Sequence, residues 1–376
     1  MNLNLNLNFF HTMLSKEELK RYNRHLILPE IGIEGQEKLK HSRVLVIGAG
    51  GLGCPILQYL TAAGVGTIGI IDFDTVDETN LQRQILFDVK DIGKPKVEVA
   101  KQKLSAQNPF INFNIYNTKL TKDNALNTFN DYDIIVDGSD NFPTRYLVND
   151  TCVISGKPLV FGSIFKFEGQ VSVFNYNGGP TYRCLFPQPP APQDAPNCSE
   201  IGVLGVLPGI IGCLQANETI KIIAGIGKPL SGKLLVFDAL TLNINIIGFS
   251  AIEDNFNITE LIDYEDFCAT RVKEITVAEL KKKLIDKEDI QIIDVREKFE
   301  YEICNLGGEL IPLANIADNV DKISKAKIVI VHCHHGTRSA KAIDILIKIF
   351  PFDNLLNLKG GIHAWSLEID KNMTTY

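Results

Sequence analysis

Two kinds of apolar pattern alternate along the chain. Short uninterrupted runs read as strands buried on both faces, and the stretches between them carry a helical period. In RVLVIGAGGLGCPILQYLTAAGVGTIGIIDFD, an apolar strand from Val44 to Ile47 leads into a glycine-rich turn, a helix through Ala63 and a second apolar strand ending at Asp72. This is a βαβ unit, which predicts a parallel sheet covered by helices. Residues 14–41 read as helix, loop, helix, with Ser15 as N-cap three residues before Glu18. Downstream, the pattern predicts a helix in VEVAKQKLSAQN, strands in INFNIYN and DIIVDGSD, and a helix beginning near Thr144. Strands in PLVFGSI and EGQVSVFNY, a helix in LPGIIGCLQANETIKIIAG and a strand in KLLVFDAL complete this half.

From about residue 251 to 273 the text turns polar and acidic, and a linker is expected there. A second α/β pattern follows: helix VAELKKKLID, strands IQIIDVR and KIVIVHC, helix SAKAIDILIKIF and a closing LKGGIHAW. No repeat relates the halves. The reading is one domain over 13–250 and a smaller one over 274–376. At 376 residues the chain has length for two or three domains of roughly 150. MNLNLNLNFFHT alternates Asn and Leu before Met13, lacks a basic start, and reads as a disordered extension over 1–12 rather than a secretory signal. FPQPPAPQDAPNCSE, at 186–200, is aperiodic and proline-rich, the pattern of a functional loop.

Composition narrows the function classes. A formal net charge of −7 argues against a surface built for nucleic acid or anionic lipid. No run approaches the roughly 18 apolar residues of a membrane span. Eight cysteines without a C-x-x-C repeat predict reduced thiols and a cytoplasmic protein, not a disulfide scaffold.

Gly48, Gly50, Gly51 and Gly53 fit G-x-G-x-x-G after a strand and at the opening of a helix, where backbone N–H groups can receive a phosphate. Asp72 ends the next strand, where an acid can bind a ribose hydroxyl. That much suits NAD and ATP equally. Asn80, Arg83 and Lys96 follow within thirty residues, and Asp140 follows the strand at 134–137, placed to hold Mg²⁺. Each alone is an ordinary surface charge. Together at one strand edge they favour ATP, whose three phosphates and transferring charge need cations.

RYNRHLILPEIG, GQEKL, VLVIGAGGLGCP, DFDTVDETNLQRQ, GKPKVEVA, DGSDNFPTRYLVND, YRCLFP and NCSEIGVLGVLPGIIGCLQANETIK resemble the MoeB/ThiF family over about residues 20–250. The resemblance implies a Rossmann-like α/β adenylation domain with a mixed sheet. It also implies ATP-dependent adenylation of a ubiquitin-like sulfur-carrier protein of the MoaD or ThiS type, ending in Gly-Gly. Gly51 and the glycine turn would meet the ATP phosphates and Asp72 the ribose. Asn80, Arg83 and Lys96 would hold the phosphate chain, and Asp140 with Asn141 the magnesium-bound phosphates. Arg24 matches an arginine that reaches the other subunit's site, which implies a homodimer. Cys198 matches a loop cysteine that takes up the activated carrier in some relatives; an inert exposed thiol is the alternative. Relatives with two C-x-x-C pairs bind zinc, but here the first pair reads Thr181 and Cys184 and the second region Asp254 to Asn257, so no zinc is expected.

In VIVHCHHGTRSAKAIDIL, Cys333 ends an apolar strand before a tight loop and a helix, where N–H groups lower a thiol pKa and steady an anion on sulfur. Arg338 adds a cation. Only four residues separate Cys333 from Arg338, one fewer than in the cysteine phosphatases this pattern resembles, and the smaller cradle suits one sulfur atom. With IIDVREKFEYE, IPLANI and GGIHAW, the segment from 274 resembles a rhodanese domain. That resemblance implies a persulfide on Cys333, Arg338 assisting, and Asp294 and Arg296 bracing the loop. His332, His334 and His335 lie too close along one segment to suggest a metal site, and none is expected.

The two sites fit one sequence of reactions: adenylation of a carrier's C-terminal glycine, then sulfur transfer from Cys333, directly or through Cys198, to give a thiocarboxylate. Molybdopterin or thiamine synthesis is the implied destination, with tRNA thiolation and cysteine synthesis open. Thiosulfate and a cysteine desulfurase are both candidate donors. The competing readings are an NAD-linked oxidoreductase fused to rhodanese, a phosphatase second domain, and a non-catalytic carrier scaffold.

Overall fold

The computed structural model describes residues 13–189, 202–268 and 272–374. They form two compact units, one of residues 13–189 and 202–267 and one from 268 onward.

The first unit is built on an eight-stranded sheet. Its strands are β1 (Arg43–Ile47), β2 (Thr67–Ile71), β3 (Asn112–Tyr116), β4 (Ile134–Asp137), β5 (Leu159–Phe165), β6 (Glu168–Phe174), β7 (Lys233–Asp238) and β8 (Ile244–Gly248). The order is β3-β2-β1-β4-β5-β6-β7-β8. The first five are mutually parallel, and β5 to β8 pair antiparallel. β1, β2 and β4 are apolar and buried almost end to end, as strands covered on both faces must be. The helices Gly53–Ala63 and Leu207–Ala224 cover this part of the sheet, and Gly212 lets them touch: a Cβ there would stand 2.5 Å from Pro55 Cγ.

Ser15 caps the helix Lys16–Arg21 in a reciprocal box, Glu18 N–H donating to Ser15 Oγ and Ser15 N–H to Glu18 Oε2. The helix expected near Thr144 starts at Phe142, because Asn141 accepts from Thr144 N–H as its N-cap and Pro143 fits the first turn. β8 has no counterpart in the sequence reading. INIIG lacks apolar alternation with a buried face, and all five residues are exposed on the sheet's edge. The polar stretch from 251 belongs to this unit as far as 267, for Tyr264 is buried there and donates to Asp150 Oδ2 at 2.7 Å.

The second unit holds a five-stranded, wholly parallel sheet of β9 (Glu274–Ile275), β10 (Ile290–Asp294), β11 (Glu309–Leu310), β12 (Ile328–His332) and β13 (Leu355–Leu358), in the order β11-β10-β12-β13-β9. β12 lies at its centre and ends at His332, just before Cys333, with the helix Thr337–Ile349 packed beside it.

Candidate functional site

In the first sheet, β1 and β4 are neighbours although two strands separate them in sequence. The chain winds outward from β1 to β3, then returns to β4 on the other side. Such a reversal opens a crevice at the carboxyl ends of the two strands, where doubly wound sheets take their ligands. A cavity of about 320 Å³ occupies it, lined by Gly48, Gly50, Gly51, Asp72, Arg83, Lys96, Asp140 and Asn141 among others. Eight of the candidate residues thus meet at one place.

Glycine serves two purposes in the turn. Gly48 has φ +89°, and a Cβ on it would stand 3.0 Å from Gly138 O. Gly53 lies away from the cavity wall; a Cβ there would collide with Gly48 O at 2.0 Å, so this glycine packs the helix against the strand. The N-cap position of that helix, Leu52, offers no side-chain cap. Cys54 N–H donates to Gly50 O at 2.9 Å and Pro55 has no N–H, so an anion here is met by the N–H groups of the glycine turn just ahead of the helix.

Backbone and side chains fix the charges around the cavity. Asp72 Oδ2 accepts from Ala49 N–H at 2.7 Å and Oδ1 from Asp74 N–H at 2.8 Å, which ties the acid to the glycine turn. Burial pushes its carboxyl pKa up, against the pull of Lys96. Lys96 is itself buried and reaches Asp74 Oδ2 at 2.8 Å. Arg83 Nη1 donates to Thr79 O at 3.0 Å. Asp140 is exposed at the rim, and Asn141 caps its helix. Asn80 forms the turn before Arg83, whose N–H donates to the Asn80 carbonyl, but it does not line the cavity. Arg24 also stands apart, exposed on the helix Asn23–Leu26. Cys198 lies outside the described residues.

The structure adds residues that the sequence reading passed over. Asp137 is fully buried at the end of β4; burial raises its pKa, and Arg145 opposes that rise. Asp137 Oδ2, Arg145 Nε, Ser139 Oγ and Gln84 Oε1 are buried with no hydrogen-bond partner among the described residues, and the last three belong to cavity-lining side chains. Arg145 sits in DNFPTRYLVND four residues after Asn141, one helical turn on, a spacing that could have flagged it. In the Thr181–Cys184 segment, Cys184 Sγ accepts from Ile252 N–H at 3.3 Å and lies 3.4 Å from Thr181 Oγ1. Burial raises this thiol's pKa, but the hydrogen bonds outweigh it and the net shift is downward.

In the second unit Cys333 is buried, and Gly336 N–H donates to its Sγ at 3.1 Å. Gly336 holds φ +99°, which turns the loop onto the helix Thr337–Ile349. Arg338 forms a bidentate pair with Glu300, Nη1 to Oε2 at 2.6 Å and Nη2 to Oε1 at 2.7 Å. Arg296 and Asp294 are completely buried and paired, and Arg296 Nη2 also donates to Cys304 O at 2.7 Å. His332 is fully buried on β12, where burial brings its pKa down to about 4. His332 does not join His334 and His335; their neighbour comes from elsewhere in the chain. It is His363, from the helix Gly361–Glu368; ring centroids lie 5.4 Å from His334 and 4.8 Å from His335. Burial and these two neighbours lower the His334 pKa to about 4.

The ThiF family model matches residues 22–255, and the rhodanese-like domain model matches 276–368. The chain belongs to the ThiF family. Among curated relatives of this ThiF-family chain is the probable adenylyltransferase/sulfurtransferase MoeZ of Mycobacterium tuberculosis, 45% identical over 96% of both chains. The adenylyltransferase and sulfurtransferase MOCS3 of Aedes aegypti is 42% identical over 96% of this chain and 90% of its own. The sulfur carrier protein adenylyltransferase of Thermus thermophilus is 51% identical over 68% of this chain and 99% of its own. Of solved structures, E. coli MccB with ATP is 25% identical with a TM-score of 0.55, covering 62% of this chain and 72% of that one. This ThiF-family chain is therefore an enzyme with adenylyltransferase and sulfurtransferase parts, on the α/β architecture expected from its sequence.

Proposed function

We propose that the first unit adenylates the C-terminal glycine of a ubiquitin-like sulfur-carrier protein and that the second supplies the sulfur. The observation that carries this reading is the cavity, where a glycine turn, Asp72, Arg83, Lys96 and Asp140 converge at the β1/β4 crevice. The N–H groups of the glycine turn and the cations suit a triphosphate, and Asp72 the ribose. Asp140, exposed at the rim, is the residue to hold magnesium-bound phosphates. In the first step a carboxylate oxygen of the carrier bonds to the α-phosphorus and pyrophosphate leaves. Arg83 and Lys96 stabilise the charge that builds on the leaving phosphates.

In the second step the terminal sulfur of a Cys333 persulfide bonds to the carrier's acyl carbon and AMP leaves. The acyl disulfide formed on Cys333 is opened by a second thiol, which bonds to the Cys333 sulfur and releases the carrier thiocarboxylate. Gly336 N–H steadies the sulfur anion. Cys198 is the candidate to carry the acyl group between the two. A homodimer would bring Arg24 to the partner's cavity, and exposed Ile27 and Leu28 beside it suit an interface. Molybdopterin or thiamine synthesis is the destination this chemistry fits, with thiosulfate or a cysteine desulfurase as donor.

The test is pyrophosphate release from ATP with and without a small carrier ending in Gly-Gly, followed by the carrier's intact mass after a sulfur donor is added. Carrier-dependent release and an oxygen-to-sulfur mass change are expected. Release without the mass change overturns the sulfur half; no release with any carrier overturns the adenylation half and leaves a scaffold.

A further inference from the structure

Three imidazoles converge at the mouth of the Cys333 loop. His334 and His335 follow the cysteine directly, and His363 arrives from the helix Gly361–Glu368. Two backbone hydrogen bonds fix that arrival, Ile362 N–H to Cys333 O at 2.9 Å and His363 N–H to His334 O at 3.0 Å. Gly361 permits the approach; a Cβ there would stand 2.4 Å from His334 O. The His334 and His335 ring centroids are 4.2 Å apart. One ring nitrogen from each of the three lies within 4.8 Å of the other two, the one such group of potential ligands among the described residues. Nδ1 of His363 is buried and has no hydrogen-bond partner among the described residues. Glu300, a carboxylate whose charge reaches His334, is taken up by Arg338.

Neutral imidazole offers a lone pair, and nitrogen donors select zinc, cobalt, nickel or copper over magnesium and calcium. In a tetrahedral site with metal–nitrogen bonds of about 2.0–2.1 Å, ligand atoms stand about 3.4 Å apart. The present spacing reaches 4.8 Å, so binding an ion requires the three rings to turn inward. Three protein ligands leave one position open.

We propose that His334, His335 and His363 bind one divalent transition-metal ion per chain, with Zn²⁺ as the ligand to test, and that loading it suppresses sulfur transfer. Two ligands belong to the loop that holds Cys333, so the ion ties that loop to the helix Gly361–Glu368. It also sets a sulfur-seeking centre beside the cysteine. The suppression half rests on the function proposed above; the binding half does not.

The experiment titrates the metal-free full chain with Co²⁺ as a spectroscopic probe and then displaces it with Zn²⁺. One saturating equivalent with visible tetrahedral bands is expected. His363→Gln and His335→Gln should each weaken binding tenfold or more. His335 is exposed, so that variant keeps the fold. Unchanged affinity in both variants, or no saturable binding, overturns the site. Zn²⁺ should slow transfer from thiosulfate at least tenfold in the native chain and not in His363→Gln. Binding without slowing, in a chain that transfers sulfur when metal-free, overturns the regulatory half alone; a metal-free chain without transfer overturns the functional reading instead.

Discussion

The cavity at β1 and β4 and the loop after β12 use one local device, a strand that ends in a turn and opens a helix. They differ in which groups are left open. Around the cavity, Gln84, Ser139 and Arg145 each keep a buried polar atom without a hydrogen-bond partner among the described residues, and no side chain caps the helix start. Around Cys333 the loop's guanidinium, hydroxyl and sulfur are bonded, Arg338 to Glu300, Ser339 to Asn357 and the sulfur to Gly336 N–H, while buried ring nitrogens of His332 and His363 are without a hydrogen-bond partner among the described residues. A site for a large polyanion has to keep open valences for its ligand to fill, since buried polar groups are costly unless bonded. A site for one sulfur atom can have its cation, hydroxyl and sulfur bonded in advance, with open valences left on imidazole nitrogens instead.

The strongest break of this comparison separates the two sites by mutation. Asp140→Ala should abolish pyrophosphate release, a loss of a hundredfold or more, while sulfur transfer from thiosulfate to cyanide stays at the native rate. Cys333→Ala should do the reverse, because it removes the nucleophile itself. Assaying both reactions on each purified variant decides it. Loss of both activities in a folded variant would mean that the sites do not divide the labour as proposed.

A smaller effect is expected where pre-satisfaction is structural. Arg296 and Asp294 form a completely buried pair. Removing one member strands the other's charge, at a cost of about 3–5 kcal/mol. Arg296→Met should therefore lower the melting temperature of the second unit and spare pyrophosphate release by the first. Calorimetry of the full chain with the release assay would show it, and an unchanged thermogram would remove Arg296 as the loop's brace.

The same contrast explains what could be read from sequence. The cavity's glycine turn, Asp72 and Lys96 lie within one βαβ unit and its next helix, so local spacing placed them together. Arg145 needed the helix phase after Asn141. The rhodanese loop is one continuous segment, legible as far as Cys333 and Arg338. Its partners were not, since Glu300 lies 38 residues before Arg338, and His363 lies 28 residues beyond His335 on a separate helix. β8 was missed for another reason: a strand exposed on its residues' two faces has no buried face to impose an alternation.

The subtlest prediction concerns Ser339, whose Oγ lies 3.5 Å from Cys333 Sγ, 3.0 Å from Gly336 O and 2.6 Å from Asn357 Oδ1. A hydroxyl has one proton for these three acceptors. The shortest contact takes it, so Asn357 gains the bond, and the sulfur depends on Gly336 N–H, whose proton has no closer claimant. Ser339→Ala should then leave the rate of sulfur transfer within about threefold of native, less than 1 kcal/mol of barrier. It should also strip a buried amide oxygen of its donor and cost about 1–3 kcal/mol of stability. Single-turnover transfer and denaturant melts on the variant separate the two effects. A rate loss larger than the stability loss would mean that the hydroxyl, and not the Gly336 amide, holds the sulfur anion.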